Sequence, residues 1–170
     1  MKKMPICKIC AISGVLCGAC TENVENGKIT SLDIEYTKEL IELEKKFKVL
    51  ESITFVKASE IADMVVLQVG KGDLNKIAGQ RGKILRELEK SYPDKRFRFI
   101  EKTKDIKNVL ENLVAPARIL GINQIYLPTG ETESKVRIYR SDQKKLPASI
   151  EILEDIVYSL TDEHIRIAFE

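Results

Sequence analysis

The sequence contains no tryptophan, one histidine (His164) and no long apolar run. Each scarcity excludes something. The longest apolar stretches, such as Met64-Val65-Val66-Leu67, are far too short to span a bilayer. Met1 to Pro5 is basic, but no hydrophobic signal region follows it, so the chain is expected in the cytoplasm. With one histidine, no Ser/His/Asp set and no Cys/His pair can be assembled, and His164, at the start of the last predicted strand, reads as a surface residue. Asp and Glu are many but are mixed with Lys, as on solvated faces. Gly70-Lys71-Gly72 lacks the Gly-Lys-Ser/Thr ending of a nucleotide-hydrolysing loop and reads as a strand-to-helix bend. No enzyme and no small-molecule substrate is expected. Net charge is also small, at +2, so any nucleic acid must meet a local patch rather than bulk charge.

The rest is that of an ordinary folded protein. Hydrophobic residues make up 44% and charged residues 32%, too apolar a mix for a disordered chain. A length of 170 residues suits one medium domain or two small ones.

All four cysteines lie in the first twenty residues, as Cys7-x2-Cys10-x6-Cys17-x2-Cys20. In a reducing compartment disulfides are disfavoured. Two Cys-x-x-Cys knuckles instead offer four thiolates to one tetrahedral ion. Zinc suits such a set, and four Cys close its shell, so the role is structural: one Zn2+ stapling a segment too short to fold by itself. Gly14 and Gly18 would let the backbone turn tightly around the sulfurs. Iron, in a rubredoxin-like or iron–sulfur site, is the rival metal.

Hydrophobic spacing then predicts an ordered series of elements. Thr21 to Lys28 reads as a polar loop. Thr30 or Ser31 caps a helix to about Phe47, with Tyr36, Leu40, Leu43 and Phe47 on its apolar stripe. Strands follow at Ile53–Ala58 and Met64–Val69. Asp73 caps a short helix to about Ala78. Gly79 to Gly82 is a turn, and a helix bearing Ile84, Leu85 and Leu88 runs to Pro93. Arg96–Glu101 alternates charged and apolar residues as a strand. A second series follows: a helix from Asp105 to Leu113, strands at Gly121–Leu127 and Val136–Tyr139, helix within Leu146–Leu160, and a strand from His164 to Phe169. A shift of 69 residues superposes Ile53 on Ile122, Val56 on Ile125, Val69 on Ile138, Asp73 on Asp142, Lys76 on Lys145, Ile84 on Leu153, Leu88 on Val157 and Ile100 on Phe169. The constant shift points to a duplicated unit.

Gly79-Gln80-Arg81-Gly82 lies between two short helices in a strand-flanked unit and carries Arg81, followed by Lys83 and Arg86. This pattern resembles a KH domain, whose Gly-x-x-Gly loop holds the backbone of a four-nucleotide single strand. Glycine lets sugar-phosphate approach the main chain, and the amides at the next helix start favour phosphate. Leu85 sits where KH domains usually carry an aliphatic residue. Ala78 departs from the common Ile before the first glycine. The element order resembles the type II KH arrangement. Residues 30 to 170 resemble the tandem KH region of the NusA family of transcription factors, most closely its small archaeal members. The likeness rests on Gly72-Asp73-Leu74 through the turn, on Asp94 to Glu101, and on Leu113-Val114-Ala115-Pro116-Ala117. The chain lacks the polymerase-binding and oligonucleotide-barrel domains of bacterial NusA. In the second unit Ala148-Ser149-Ile150-Glu151 replaces the loop, so this unit is either a structural half or one that uses Arg140, Lys144 and Lys145 differently.

The resulting expectation is an α+β chain of tandem type II KH domains, three-stranded mixed sheets packed with helices, preceded by a small zinc knuckle. Residues 1–28 form the knuckle, 29–103 the first KH domain and 104–170 the second. Single-stranded RNA would bind through Gly79, Gln80, Arg81, Gly82, Lys83, Leu85, Arg86 and Lys71. The resemblance implies a transcription elongation or termination factor, with RNA polymerase as a further candidate partner. Two other classes stay open: a protein-interaction adaptor whose knuckle docks on polymerase or ribosome, and a small iron redox protein built on the four cysteines.

Overall fold

The computed structural model describes all 170 residues. They form two compact units, Met1–Lys102 and Thr103–Glu170, each built on a three-stranded mixed sheet. No helix is long and apolar enough to cross a membrane.

The first unit opens with two short helices, α1 (Lys8–Ser13) and α2 (Gly18–Glu25). The loop expected at Thr21–Lys28 is therefore mostly helix. Each helix starts from a cysteine in extended backbone, Cys7 or Cys17, rather than from the Ser, Thr, Asp or Asn that marks a helix start in sequence. Next comes α3 (Ser31–Glu44), begun by a reciprocal cap. Asp33 N–H donates to Thr30 Oγ1 at 3.2 Å, and Thr30 N–H donates to Asp33 Oδ2 at 2.9 Å. The other oxygen of buried Asp33 accepts from the Ala58 amide at 2.7 Å, tying the helix start to the sheet. Tyr36, Leu40 and Leu43 are buried, as their helical spacing requires, and Phe47 is buried too although the helix stops at Glu44, short of the predicted Phe47; Tyr36 meets Phe97 edge-on at 5.6 Å.

The sheet of this unit is β1 (Phe55–Ile61), β2 (Met64–Val69) and β3 (Arg96–Glu101), in that order. β1 and β2 are antiparallel; β2 and β3 are parallel. The parallel pair needs a crossover, supplied by α4 (Asp73–Ile77) and α5 (Arg81–Ser91). The second unit runs α6 (Ile106–Val114), β4 (Ile119–Tyr126), β5 (Thr132–Ile138), a 3-10 turn (Arg140–Lys145), α7 (Ile150–Thr161) and β6 (Ile165–Phe169). Its sheet order is β4-β5-β6, antiparallel then parallel. β5 starts four residues before the predicted strand, because its early positions are too polar to read as one.

The two sheets share one topology, but the correspondence is not a single shift. Val69 and Ile138 correspond at 69 residues, and they oppose Phe55 and Ile119, which are 64 apart. The second hairpin has the longer turn, so the proposed pairing of Ile53 with Ile122 and Val56 with Ile125 is incorrect. The corrected alignment places a bulge at Val56 on one at Leu120. Likewise Gln68 pairs with Ile100 and Arg137 with Ala168, so the last strands correspond at 68 residues and Ile100 matches Ala168, not Phe169.

One polar lock recurs in both units. Asp73 Oδ2 accepts from the Thr54 amide at 2.8 Å and Oδ1 pairs with Lys76 at 2.8 Å. Asp142 Oδ2 accepts from the Arg118 amide at 3.0 Å and Oδ1 pairs with Lys145 at 2.7 Å. Thr54 and Arg118 each immediately precede the first strand of their sheets. Asp73 is thus spent on the strand and does not cap α4. That cap is Gly72, at φ +82°, a left-handed backbone that glycine adopts without strain.

Candidate functional site

Two constellations carry chemistry, both in the first unit. The first is the cysteine cluster. The four Sγ atoms lie within 4.8 Å of one another and form no disulfide. Cys7 and Cys17 are exposed; Cys10 and Cys20 are buried. The two halves repeat at ten residues, each cysteine pair spanning a helix start. Cys17 N–H donates to Cys10 Sγ at 3.1 Å, and Cys7 N–H faces Cys20 Sγ at 3.4 Å. Gly14 ends α1 at φ +79°, whereas Gly18 is simply the first residue of α2 and turns nothing. Buried Ile6, Ala11, Ile29 and Ile41 pack beneath the cluster.

The thiols divide in pairs. The Cys20 amide, then the Cys10 thiol, lower Cys17 to about 7. The Cys10 amide, then its thiol, lower Cys7. The Cys17 amide pulls Cys10 down, but the shared proton with Cys7 and burial outweigh it and push Cys10 up to about 12. Cys20 is also raised: burial and the Cys17 thiol overcome the Cys7 amide. Four close thiols cannot all ionise unaided, and a cation bound among them would supply the missing charge. A Zn–S bond of about 2.3 Å puts tetrahedral sulfurs about 3.8 Å apart, compatible with this spread. The set can hold one metal ion with all four positions filled by protein.

The second constellation is the turn between α4 and α5. Ala78, Gly79 and Gln80 form the turn proper, and Arg81 and Gly82 already belong to the first turn of α5. Gln80 makes no side-chain cap, so the first amides of α5 have no side-chain partner. Neither Gly79 nor Gly82 has a positive φ, and a Cβ on either would meet nothing within 4 Å. The fold therefore does not require glycine at either place. Gly70, by contrast, is fixed by its neighbour: a Cβ there would lie 2.6 Å from Asp73 Oδ2.

Cations gather on this helix start. Arg86 Nε donates back to the Gly82 carbonyl at 3.2 Å. Arg81 is half-buried and Lys83 exposed, and neither has an ion-pair partner. Burial, then repulsion from Arg81, lowers the half-buried Arg98 of β3 below the usual arginine value, which marks Arg98 as a neighbour of the turn. Sequence reading missed Arg98, whose alternating strand position looks like any exposed residue. Leu85 packs at the edge of the core. Lys71 lies in the turn before α4, whereas Gly79 to Gly82 follows that helix.

In the second unit the corresponding helix start is closed. The Ser149 hydroxyl accepts from Ile152 N–H at 3.5 Å, and Glu151 occupies the first turn of α7. His164 is exposed, stacked on Tyr158 at 4.4 Å.

No protein-family model and no curated protein matches the chain. Among solved structures, the crystal structure of APE1850 is similar, with a TM-score of 0.49 and 14% identity, over 76% of this chain and 96% of that one.

Proposed function

We propose that this chain is a cytoplasmic RNA-binding protein that holds single-stranded RNA on the Gly79–Gly82 turn. It is a tandem KH-type protein with one structural zinc in its cysteine cluster. The observation that carries the reading is the pair of glycines that the fold does not need, beside an uncapped, cationic helix start. A glycine that neither backbone angle nor close packing requires costs about 0.4–1 kcal/mol relative to alanine through the freedom of the unfolded chain, so a glycine with no structural role calls for another. Close approach of a sugar-phosphate backbone supplies it: phosphate oxygens reach the α5 amides while Arg81, Lys83 and Arg86 add charge. Unstacked bases lie towards Leu85 and Arg98. The second unit, with its capped and acidic helix start, serves as a scaffold. The resemblance to NusA extends the reading to transcription elongation or termination. Fluorescence anisotropy with a short labelled RNA tests the loop: Gly79→Asp with Gly82→Asp keeps the fold and abolishes binding. Unchanged affinity in that variant removes the turn from the site.

A second reading has its own support. Ile9, Ile12 and Val15 are 77%, 64% and 74% exposed on and just after α1, an apolar patch that suits protein docking. The knuckle would then be an adaptor surface for polymerase or ribosome. Ile9→Glu with Ile12→Glu would abolish co-purification of that partner and leave RNA affinity intact. Loss of RNA affinity alone would discard the adaptor role.

A further inference from the structure

On an α-helix each residue advances 100°, so α5 presents two flanks on either side of its buried stripe of Ile84 and Leu88. Arg81 and Leu85 lie on one flank, the one that the proposed base contacts use. Lys83, Arg86, Glu87 and Lys90 lie on the other. That second flank borders a groove of about 660 Å3, closed on its far side by Lys46 and Phe47 beyond the end of α3 and reaching Gln80 of the turn. Four cations thus surround the groove against one carboxylate. Glu87 offsets one of these four charges. Its carboxylate pairs with Lys90 at 2.8 Å and with Lys46 at 3.1 Å, holding two ammonium groups from different elements at one rim. Lys46 also lies 5.8 Å from the Phe47 ring centre. Arg86 points back to the turn through its bond to the Gly82 carbonyl, so cationic surface continues from the turn into the groove.

The second unit provides an internal comparison. With Ile84 on Leu153 and Leu88 on Val157, all buried, Lys83, Arg86, Glu87 and Lys90 fall on Ile152, Asp155, Ile156 and Ser159. The copy that lacks the open turn lacks this flank too.

We infer that the groove between the α3 end and α5 is a second RNA subsite, binding the sugar-phosphate backbone of nucleotides beyond those held by the turn. This rests on the RNA reading of the turn and extends it. Lys90 lies eight residues along α5 from Gly82, about 12 Å. A tetranucleotide whose four nucleotides are all held at the turn has no phosphate left for Lys46 and Lys90, whereas a longer strand supplies the further phosphates that reach them. The groove reads charge and not sequence, because ammonium groups contact phosphate.

The test compares a uridine tetranucleotide with an oligouridylate of about ten residues, by anisotropy over a range of salt. Lys46→Gln with Lys90→Gln changes only exposed side chains. It weakens the longer RNA about tenfold and flattens its salt slope by about 1.4, at about 0.7 for each lost contact. Tetranucleotide affinity stays unchanged. Glu87→Gln moves the longer RNA the other way, to tighter binding. Equal losses on both RNAs, or no loss on either, would overturn the subsite. Gly79→Asp with Gly82→Asp separates the two readings. If it abolishes binding while the lysine variant binds both RNAs normally, the turn stands and the groove falls. If it binds both RNAs normally while the lysine variant loses the longer one, the turn falls and the groove is the RNA site. Polyglutamate displacing the longer RNA as well as unlabelled RNA does would replace RNA with an acidic polypeptide as occupant.

Discussion

Replacing Gly79 and Gly82 with alanine separates a functional glycine from a structural one. At both positions φ is compatible with alanine and a Cβ meets open space. The substitution therefore costs nothing in the folded state and removes conformational freedom from the unfolded one. Each change stabilises by about 0.4–1 kcal/mol, Gly82 with added helix propensity because it lies in α5. The double variant is about 1–2 kcal/mol more stable. In a unit of this size each kcal/mol moves Tm by about 4–8 °C, so calorimetry resolves the rise easily. The same two methyl groups stand where RNA backbone must approach, and affinity falls by about tenfold, equivalent to about 1.4 kcal/mol. Gly72→Ala is the control of opposite sign. Its φ of +82° makes alanine cost about 1–2 kcal/mol, with no reason for RNA affinity to change. A Gly79→Ala, Gly82→Ala variant with lowered Tm refutes the argument, since the glycines would then be structural. Raised stability with undiminished RNA affinity refutes the assigned role.

Three further outcomes follow from other parts of the molecule. Elemental analysis finds about one zinc per chain; Cys10→Ser or chelation releases it and lowers Tm, whereas an iron spectrum or a metal-free protein overturns the zinc assignment. Asp142 is held well below the usual carboxylate range, first by its hydrogen bond to Arg118, then by Lys145. A depressed folded pKa contributes stability above the unfolded value of about 3.9 and loses it as pH falls further, so Asp142→Asn lowers stability at pH 7 but loses less on acidification; a melting curve parallel to wild type from pH 7 to 3 contradicts this. Asp73→Ala leaves the Thr54 amide without its acceptor and Lys76 without its partner, costing about 2 kcal/mol by denaturant titration, and a neutral result would mean the lock adds nothing.

Much of the fold was legible because burial imposes periodicity. β2 and β3 lie at Met64–Val69 and Arg96–Glu101 as predicted, and α3 begins at Ser31, capped by Thr30, because its capping box is local chemistry. The misreadings have physical causes. The α1 and α2 starts are cysteines, which carry no ordinary cap signal, so helix looked like loop. The duplicated unit was visible, but its shift changes from 64 to 69 to 68 residues as the hairpin turn lengthens and the final connection shortens. No uniform shift in sequence can register insertions. Asp73 read as a cap because it opens a helix, yet its partner, Thr54, is 19 residues away. That the four cysteines come together was legible, since they are close in sequence. The groove was not, because Lys46 and Glu87 meet only when α3 and α5 pack.

The most direct measurement of the central claim is a nitrogen–proton correlation titration of the wild-type protein with the uridine tetranucleotide. The largest shifts are expected on the amides of Gly79 to Lys83, with smaller ones at Leu85 and Arg98. Shifts confined to the cysteine helices or to the second unit, or a spectrum that RNA leaves unchanged, would contradict it.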